Sequence, residues 1–597
     1  MANPSIQSEE VMIMTNKSRR EMLKLGLLTT GAGLVASQQA FGVGTVVGGL
    51  CTPDNLPLDK DDPGAHKWNL PLYQDPLPII PVAQPVDPAL LNPPIDPARH
   101  QRYGEFMPQK HYIQVIREFL HVYHSGLPGP AYCWGFNSQV PGETFHAHYG
   151  EPVFIRRFNQ LPSIAGSHLR GFGLPSTTTH LHNLHHASES DGLPWDFIDP
   201  GFFWDHHHPN YPAGGDPKEK QTTQWYHDHR MDNTAANVYT GLTGFYLLFD
   251  EQDTGNENDP SPSAFRLPSG NYDIPMILHD ISLDADGQLY LSQNTNGFLG
   301  NLYTVNRKVT PFLNVEPRKY RFRFLNGGPS RFYELRLRSG QKFTVIANDG
   351  NLLPKPLLAD TVKISVAQRF DVIVDFSQFS PGATIELENI LEQIHGEGPT
   401  GRRLANGLGA PVMQFKVVAA TGVDNSRIPA TLRPLPPTQL DEILRARQRL
   451  FAFDYDGGEW TVNNQTFSMD RVDAFIEQGQ PEIWTIRNVG TKWEHPIHIH
   501  FEEFQILEFN GKPLAANDVD KSRKDVLTLK MGDEVKLFFH FRDYLGDHVM
   551  HCHNVVHEDH QMMVRWRIVP PANGQPVKGS IISPRPVARL GNPPSGF

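Results

Sequence analysis

The stretch His551-Cys-His-Asn-Val-Val-His-Glu-Asp-His-Gln-Met562 places one thiol, four imidazoles and one thioether within twelve residues. A blue copper centre takes two histidines, one cysteine and a long, weak axial methionine. Cys552, His557 and Met562 supply three of these four, five residues apart each time. In an extended segment successive side chains point to opposite faces, so His551 and His553 face away from Cys552. One short strand could thus join a copper at Cys552 to a second metal site behind it.

Outward from this stretch, histidines recur in pairs. With 28 histidines in 597 residues, random placement gives roughly one His-x-His pair. The chain has six. Imidazoles at i and i+2 on a strand share a face, which lets them hold one metal or two adjacent ones. Four pairs stand in strongly patterned surroundings: His180/His182 in Thr-His-Leu-His, His227/His229 in Trp-Tyr-His-Asp-His, His498/His500 in His-Pro-Ile-His-Ile-His, and His551/His553 around the cysteine. His495 opens the third pattern and is the free imidazole that completes a copper site at Cys552. The other pairs take a plainer reading: His146/His148 on an exposed strand face, and His206 to His208 in a solvated loop before Pro209. His185 and His186 read as groups behind the ligands, and His560 as a loop residue.

The chain is too long for one core, and the length suggests three or four domains. Its 51 prolines and 50 glycines suit turns between strands, and no long helical periodicity competes. A net charge of −12 argues against nucleic acid or an anionic membrane as partner. Residues 1–40 read as a twin-arginine signal: Ser18-Arg-Arg-Glu-Met-Leu-Lys24 precedes an apolar run too short to span a bilayer. That pattern implies export to the periplasm or beyond, with no stable membrane insertion. Residues 41–100 form a Pro-rich extended arm, and strand-rich blocks follow over 101–250, 271–420 and 445–571. The middle block has no histidine pair at ligand spacing and is expected to hold no metal. A short helix is expected from Leu440 to Leu450, and a loose tail over 572–597. In an exported protein Cys51 and Cys133 could pair, although spacing alone does not decide it.

The four patterned pairs, with His495, Cys552, His557 and Met562, match the copper signatures of the multicopper oxidases. Trp134-Gly-Phe-Asn137, Ser190-Asp-Gly-Leu-Pro194, Glu316-Pro-Arg-Lys-Tyr-Arg-Phe-Arg323 and Arg369-Phe-Asp-Val-Ile-Val-Asp-Phe376 extend the likeness. From Leu127 to Pro570 the chain resembles the branch of bacterial spore-coat laccase, bilirubin oxidase and phenoxazinone synthase. The resemblance implies an all-β fold of three consecutive cupredoxin-like Greek-key β-sandwich domains, and four copper ions. His495, Cys552, His557 and Met562 would bind the type 1 copper, and His180 and His498 the type 2 copper. His182, His227, His229, His500, His551 and His553 would bind the type 3 pair.

The implied activity oxidises phenols, aromatic amines or similar small reductants and reduces dioxygen to water, in a chain expected to be monomeric. Cys552 would pass electrons on to His551 and His553. Asp191 and Glu558 match the family's acidic positions, either relaying protons or orienting a ligand imidazole. Asn183 stands where many members have glycine, and no methionine-rich insert is visible, which disfavours a cuprous-ion oxidase. Alternatives are a Cu(I) or Mn(II) oxidase of the same fold and a metal-free envelope protein. A small electron carrier would leave eight histidines unexplained, and zinc has no use for Cys-x4-His-x4-Met.

Overall fold

The computed structural model describes residues 65–597 apart from 170–172, 293–294, 573 and 584. The twin-arginine pattern of residues 1–40 and Cys51 lie outside the described residues. Six sheets form three sandwiches, each pair of sheets enclosing its own apolar core. The first pairs a five-stranded sheet with a four-stranded one that orders Gly142–His148, Thr243–Phe249, Thr223–Asp228 and Thr179–His182. The second has eight and five strands, the third six and five.

One topology repeats three times. The first strand of each unit runs parallel to a later one: Lys110–His121 with Val153–Asn159, Asp273–Leu283 with Lys319–Asn326, and Arg447–Asp456 with Pro481–Asn488. The opposing sheets repeat this with Gly142–His148 and Thr243–Phe249, Phe312–Val315 and Ala410–Val417, and Ala474–Glu477 and Met563–Val569. A hairpin cannot close a parallel pair, so the chain must cross between sheets, as in Greek keys. The expected all-β architecture of three cupredoxin-like sandwiches is what the chain adopts.

Alternation along the last strand shows how sequence sets the layers. In Met563-Val-Arg-Trp-Arg-Ile-Val569, Val564, Trp566 and Ile568 enter the third core. Arg565 and Arg567 face the other way and share the Asp547 carboxylate. Burying a side chain such as Ile568 contributes about 1.5–3 kcal/mol.

Several expectations need correction. The helix at 440 spans only Leu440–Arg445, and Arg447–Asp456 is strand because its backbone pairs with Pro481–Asn488. Tertiary pairing there outweighs local propensity. His206 to His208 are not a solvated loop: they end the strand Phe202–His208 and are 2%, 2% and 0% exposed. Polar composition suggested solvent, but the strand lies between Val153–Asn159 and the C-terminal strand. The tail is not loose either. Arg589–Leu590 adds an edge strand to Phe202–His208, Arg585 pairs with Asp196, and Arg589 pairs with Asp205.

By contrast, His146 is exposed and His148 half-buried, as expected of an outer strand face. The described part of the arm is extended, bridging the second sandwich at Pro76–Phe312 and the first at Val82–Thr144. Among the described residues no helix is long and apolar enough to cross a membrane.

Asp205 accepts from Arg156 Nε at 2.7 Å and Nη2 at 2.9 Å, and that guanidinium is fully buried. Asp205→Ala strands this charge and removes one of the tail's ion pairs, that with Arg589. Chemical denaturation should show a loss of about 3–5 kcal/mol, with faster proteolysis of the tail; an unchanged unfolding midpoint would contradict the pairing.

Candidate metal centres

Two strands and a short helix assemble the first centre. His495 begins the strand His495–Ile499, which pairs antiparallel with Gly546–Cys552 and sets Ile497 opposite Cys552. The chain then turns into the helix Val555–Asp559, where the Asn554 side chain caps Val556 N. That turn returns His557 to the cysteine: His495 Nδ1 lies 3.3 Å and His557 Nδ1 3.6 Å from Cys552 Sγ. Met562 is buried in the same core, and its carbonyl accepts from Cys552 N at 3.1 Å.

Second contacts fix the imidazole of His557. Its Nε2 donates to the Asn296 carbonyl at 3.1 Å, which leaves the Nδ1 lone pair facing sulfur. Trp460 stacks on the ring with centroids 3.7 Å apart. Burial lowers His495 to about 3 and pushes the Cys552 thiol up. A neutral thiol buried beside two neutral imidazoles is a soft donor set that a metal would deprotonate.

The second centre lies between the first and third sandwiches. In the first, Thr179–His182 and Thr223–Asp228 pair antiparallel with His180 opposite His227. In the third, His498 stands opposite His551. Eight imidazoles converge, all 0% exposed: His180, His182, His227, His229, His498, His500, His551 and His553. They fall into three close groups: His180, His182 and His498; His182, His227 and His553; and His229, His500 and His551.

Their nitrogens meet one another rather than protein acceptors. His229 Nε2 is 3.2 Å from His500 Nε2 and 3.1 Å from His551 Nε2, while His500 and His551 are 3.3 Å apart. His180 Nε2 and His498 Nε2 are separated by 3.4 Å. Burial lowers His229 to about 3 and holds His182, His227, His498, His500 and His553 well below the usual imidazole range. Rings that meet through Nε2, with Nδ1–H turned to a protein oxygen, present lone pairs to each other. Metal–nitrogen bonds of about 2 Å space tetrahedral ligand nitrogens about 3.3 Å apart. The donor set therefore fits metal ions.

Protein oxygens select the nitrogen that faces inward. His180, His227 and His498 donate from Nδ1 to the carbonyls of Asp191, Asp228 and Asp525. His500 Nδ1 lies 3.0 Å from Asp191 Oδ2; His229 and His551 Nδ1 lie 3.2 and 2.9 Å from Glu558. His182 is reversed, with Nε2 3.1 Å from Asp525 Oδ1 and Nδ1 without a protein partner. Burial would raise Asp191, but His500 and His180 hold its carboxyl well below the usual range. Glu558 is likewise lowered against burial by His551 and His229.

The twelve ligand candidates named from sequence, with Asp191 and Glu558, lie at these two centres. His186 reaches Asp191 at 3.2 Å, in keeping with a place behind the ligands, and His185 reaches Asp543 at 3.0 Å. His560 caps the short helix and bonds back to Val556. Sequence reasoning missed His208, 2.9 Å from His186, and His548, 3.2 Å from Asp191. It also missed Asp525 and the contact of Arg369 with it. Position on the ligand-bearing strand Gly546–Cys552 was the available signal for His548; lone acids and arginines carry none.

Multicopper oxidase family patterns match residues 122–253, 279–383 and 437–572. The chain is 34% identical over 511 residues to a bilirubin oxidase of Albifimbria verrucaria, covering 83% of this chain and 81% of that one. It is 31% identical over 522 residues to a laccase of Bacillus subtilis, covering 78% and 95%. The crystal structure of a Pediococcus acidilactici laccase superposes with a TM-score of 0.68 at 24% identity, covering 87% of this chain and 99% of that one. This chain belongs to the multicopper oxidase family, in the branch of bilirubin oxidase and the Bacillus laccases. It is a laccase-like copper oxidoreductase with dioxygen as acceptor.

Cys552 and Cys133 are both fully buried, and burial raises both thiols. In copper-free folded protein neither should react with a thiol reagent near neutral pH, while both should react after denaturation. Rapid labelling of Cys552 in the folded state would contradict this burial.

Proposed function

We propose that the chain couples four one-electron oxidations of a phenol, aromatic amine or similar small reductant to the reduction of one dioxygen to two waters. The observation that carries this reading is Cys552, bonded through the backbone to His551 and His553 of the interdomain cluster while its thiol faces His495 and His557. In this reading His495, Cys552, His557 and Met562 hold the type 1 copper, and His180 and His498 the type 2 copper. His182, His227 and His553 hold one type 3 ion; His229, His500 and His551 hold the other. Copper at these positions supplies the one-electron chemistry that side chains lack.

The remaining work falls to the protein. The peptide on either side of Cys552 is the shortest covalent route between the two centres. Trp460 and the Asn296 carbonyl hold the His557 ring in place beside the thiol. Dioxygen reduction consumes protons, and Asp191 and Glu558, both held below the usual carboxylate range, touch the ligand imidazoles. Both orient those rings and stand where protons must pass. Export is supported by Arg19-Arg20 before the apolar run.

Oxygen uptake during oxidation of a panel of phenols, aromatic amines, Mn(II) and Cu(I) tests the proposal. Near four oxidations per dioxygen without accumulating peroxide is the expected ratio; sustained peroxide release contradicts it. Asp191→Asn should slow turnover by about 100-fold or more, while anaerobic bleaching of the blue colour by reductant keeps its rate. Unchanged turnover in that variant removes Asp191 from the proton path.

A further inference from the structure

Six of the eight cluster imidazoles turn Nδ1 to a protein oxygen and leave Nε2 for metal, and His553 has no protein partner at either nitrogen, whereas His182 turns Nε2 to Asp525 and leaves Nδ1 free. An imidazole in this reversed setting needs its own acceptor. Asp525 is fully buried and serves two ligands at once. Its Oδ1 faces His182 of the first sandwich, and its carbonyl accepts from His498 of the third at 3.0 Å.

What holds Asp525 comes from the middle sandwich. Arg369 begins the strand Arg369–Asp375 and is fully buried. Its Nη1 donates to Asp525 Oδ1 at 2.7 Å and to the Ala367 carbonyl at 3.2 Å. Nη2 donates to Asp525 Oδ2 at 2.5 Å and to Gln224 Oε1 at 3.0 Å, and Nε to the Thr223 carbonyl at 3.3 Å. All five N–H groups of the guanidinium are thus engaged. Thr223 and Gln224 lie on Thr223–Asp228, the strand that carries His227. A lysine, with three donors on a flexible stem, cannot reproduce this planar fork.

We infer that Arg369 and Asp525 form a positioning clamp through which the middle domain, which supplies none of the eight imidazoles, sets the tautomer of His182 and completes the type 3 site. The inference rests on the trinuclear reading above. With Asp525 accepting from Nε2–H, Nδ1 is the only nitrogen of His182 that can bind metal. Without the fork of Arg369, the carboxylate loses its orientation, and the ring can rotate or exchange its proton between nitrogens. The middle domain is then part of the site rather than a spacer.

The test compares copper-loaded wild type, Arg369→Lys and Asp525→Asn. Copper per chain, blue absorption and the electron paramagnetic resonance spectrum are measured, with the thermal midpoint of each copper-free protein. Both variants should keep the blue absorption and lose cluster copper, with an altered cluster spectrum. Arg369→Lys should keep more cluster copper than Asp525→Asn, because it preserves the charge. Wild-type cluster loading in both variants overturns the inference. So does a parallel loss of blue and cluster copper with a lowered copper-free midpoint, which would mean a general folding role. Wild-type protein that takes up blue copper but no cluster copper overturns the trinuclear reading itself, whatever the variants do.

Discussion

Eight buried imidazoles, five of which meet nitrogen to nitrogen in a dry interior, are the constraint on which the structure depends. Unsatisfied polar atoms in such a place cost free energy, and lone pairs 3.1–3.4 Å apart repel. Only cations among them make the arrangement favourable. The cost is met in advance by the fold: backbone carbonyls of Asp191, Asp228 and Asp525 and the carboxylates of Asp191 and Glu558 hold the rings by their other nitrogens. Ligand orientation by outer contacts of this kind governs both affinity and chemistry at metal sites.

The cluster also explains why three sandwiches remain in one chain. Half of its imidazoles come from the first and half from the third, so neither can build the site alone. The second is joined to the first by a buried ionic network. Arg321 binds Asp253 and Asp371, Arg323 binds Asp273 and Asp371, and Thr223 donates to Asp371. Buried ion pairs of this sort contribute little net stability but fix one arrangement of the elements that meet there. Here that register includes the strand bearing His227 and His229's neighbouring turn. The N-terminal arm and the C-terminal tail add pairing across sandwich edges, bridging Phe312 and Thr144 and extending the sheet at Phe202–His208.

Much of this was legible in the residues because period-2 geometry puts i and i+2 on one face. The pairs at 180, 227, 498 and 551 could be read as ligands before any fold was known, and so could the alternation of Cys552 with its flanking histidines. Context misled where polarity stood in for exposure. His206 to His208 look solvated in sequence, but a tail some 380 residues away covers their strand. Asp525 belongs to no spacing pattern, and Arg369, although it opens a stretch that extends the likeness, gives no local sign of its partner: the significance of both lies in one contact between distant strands. The reversed ring of His182 likewise follows from a partner 343 residues away and leaves no trace in the local sequence.

Anomalous diffraction at the copper edge from crystals of the copper-loaded protein tests the central claim most directly. The account requires one peak among His495, Cys552, His557 and Met562, and three peaks among the eight interdomain imidazoles, with the peak nearest His182 on the Nδ1 side. A map with copper at Cys552 alone, or with a single ion between the domains, would contradict it.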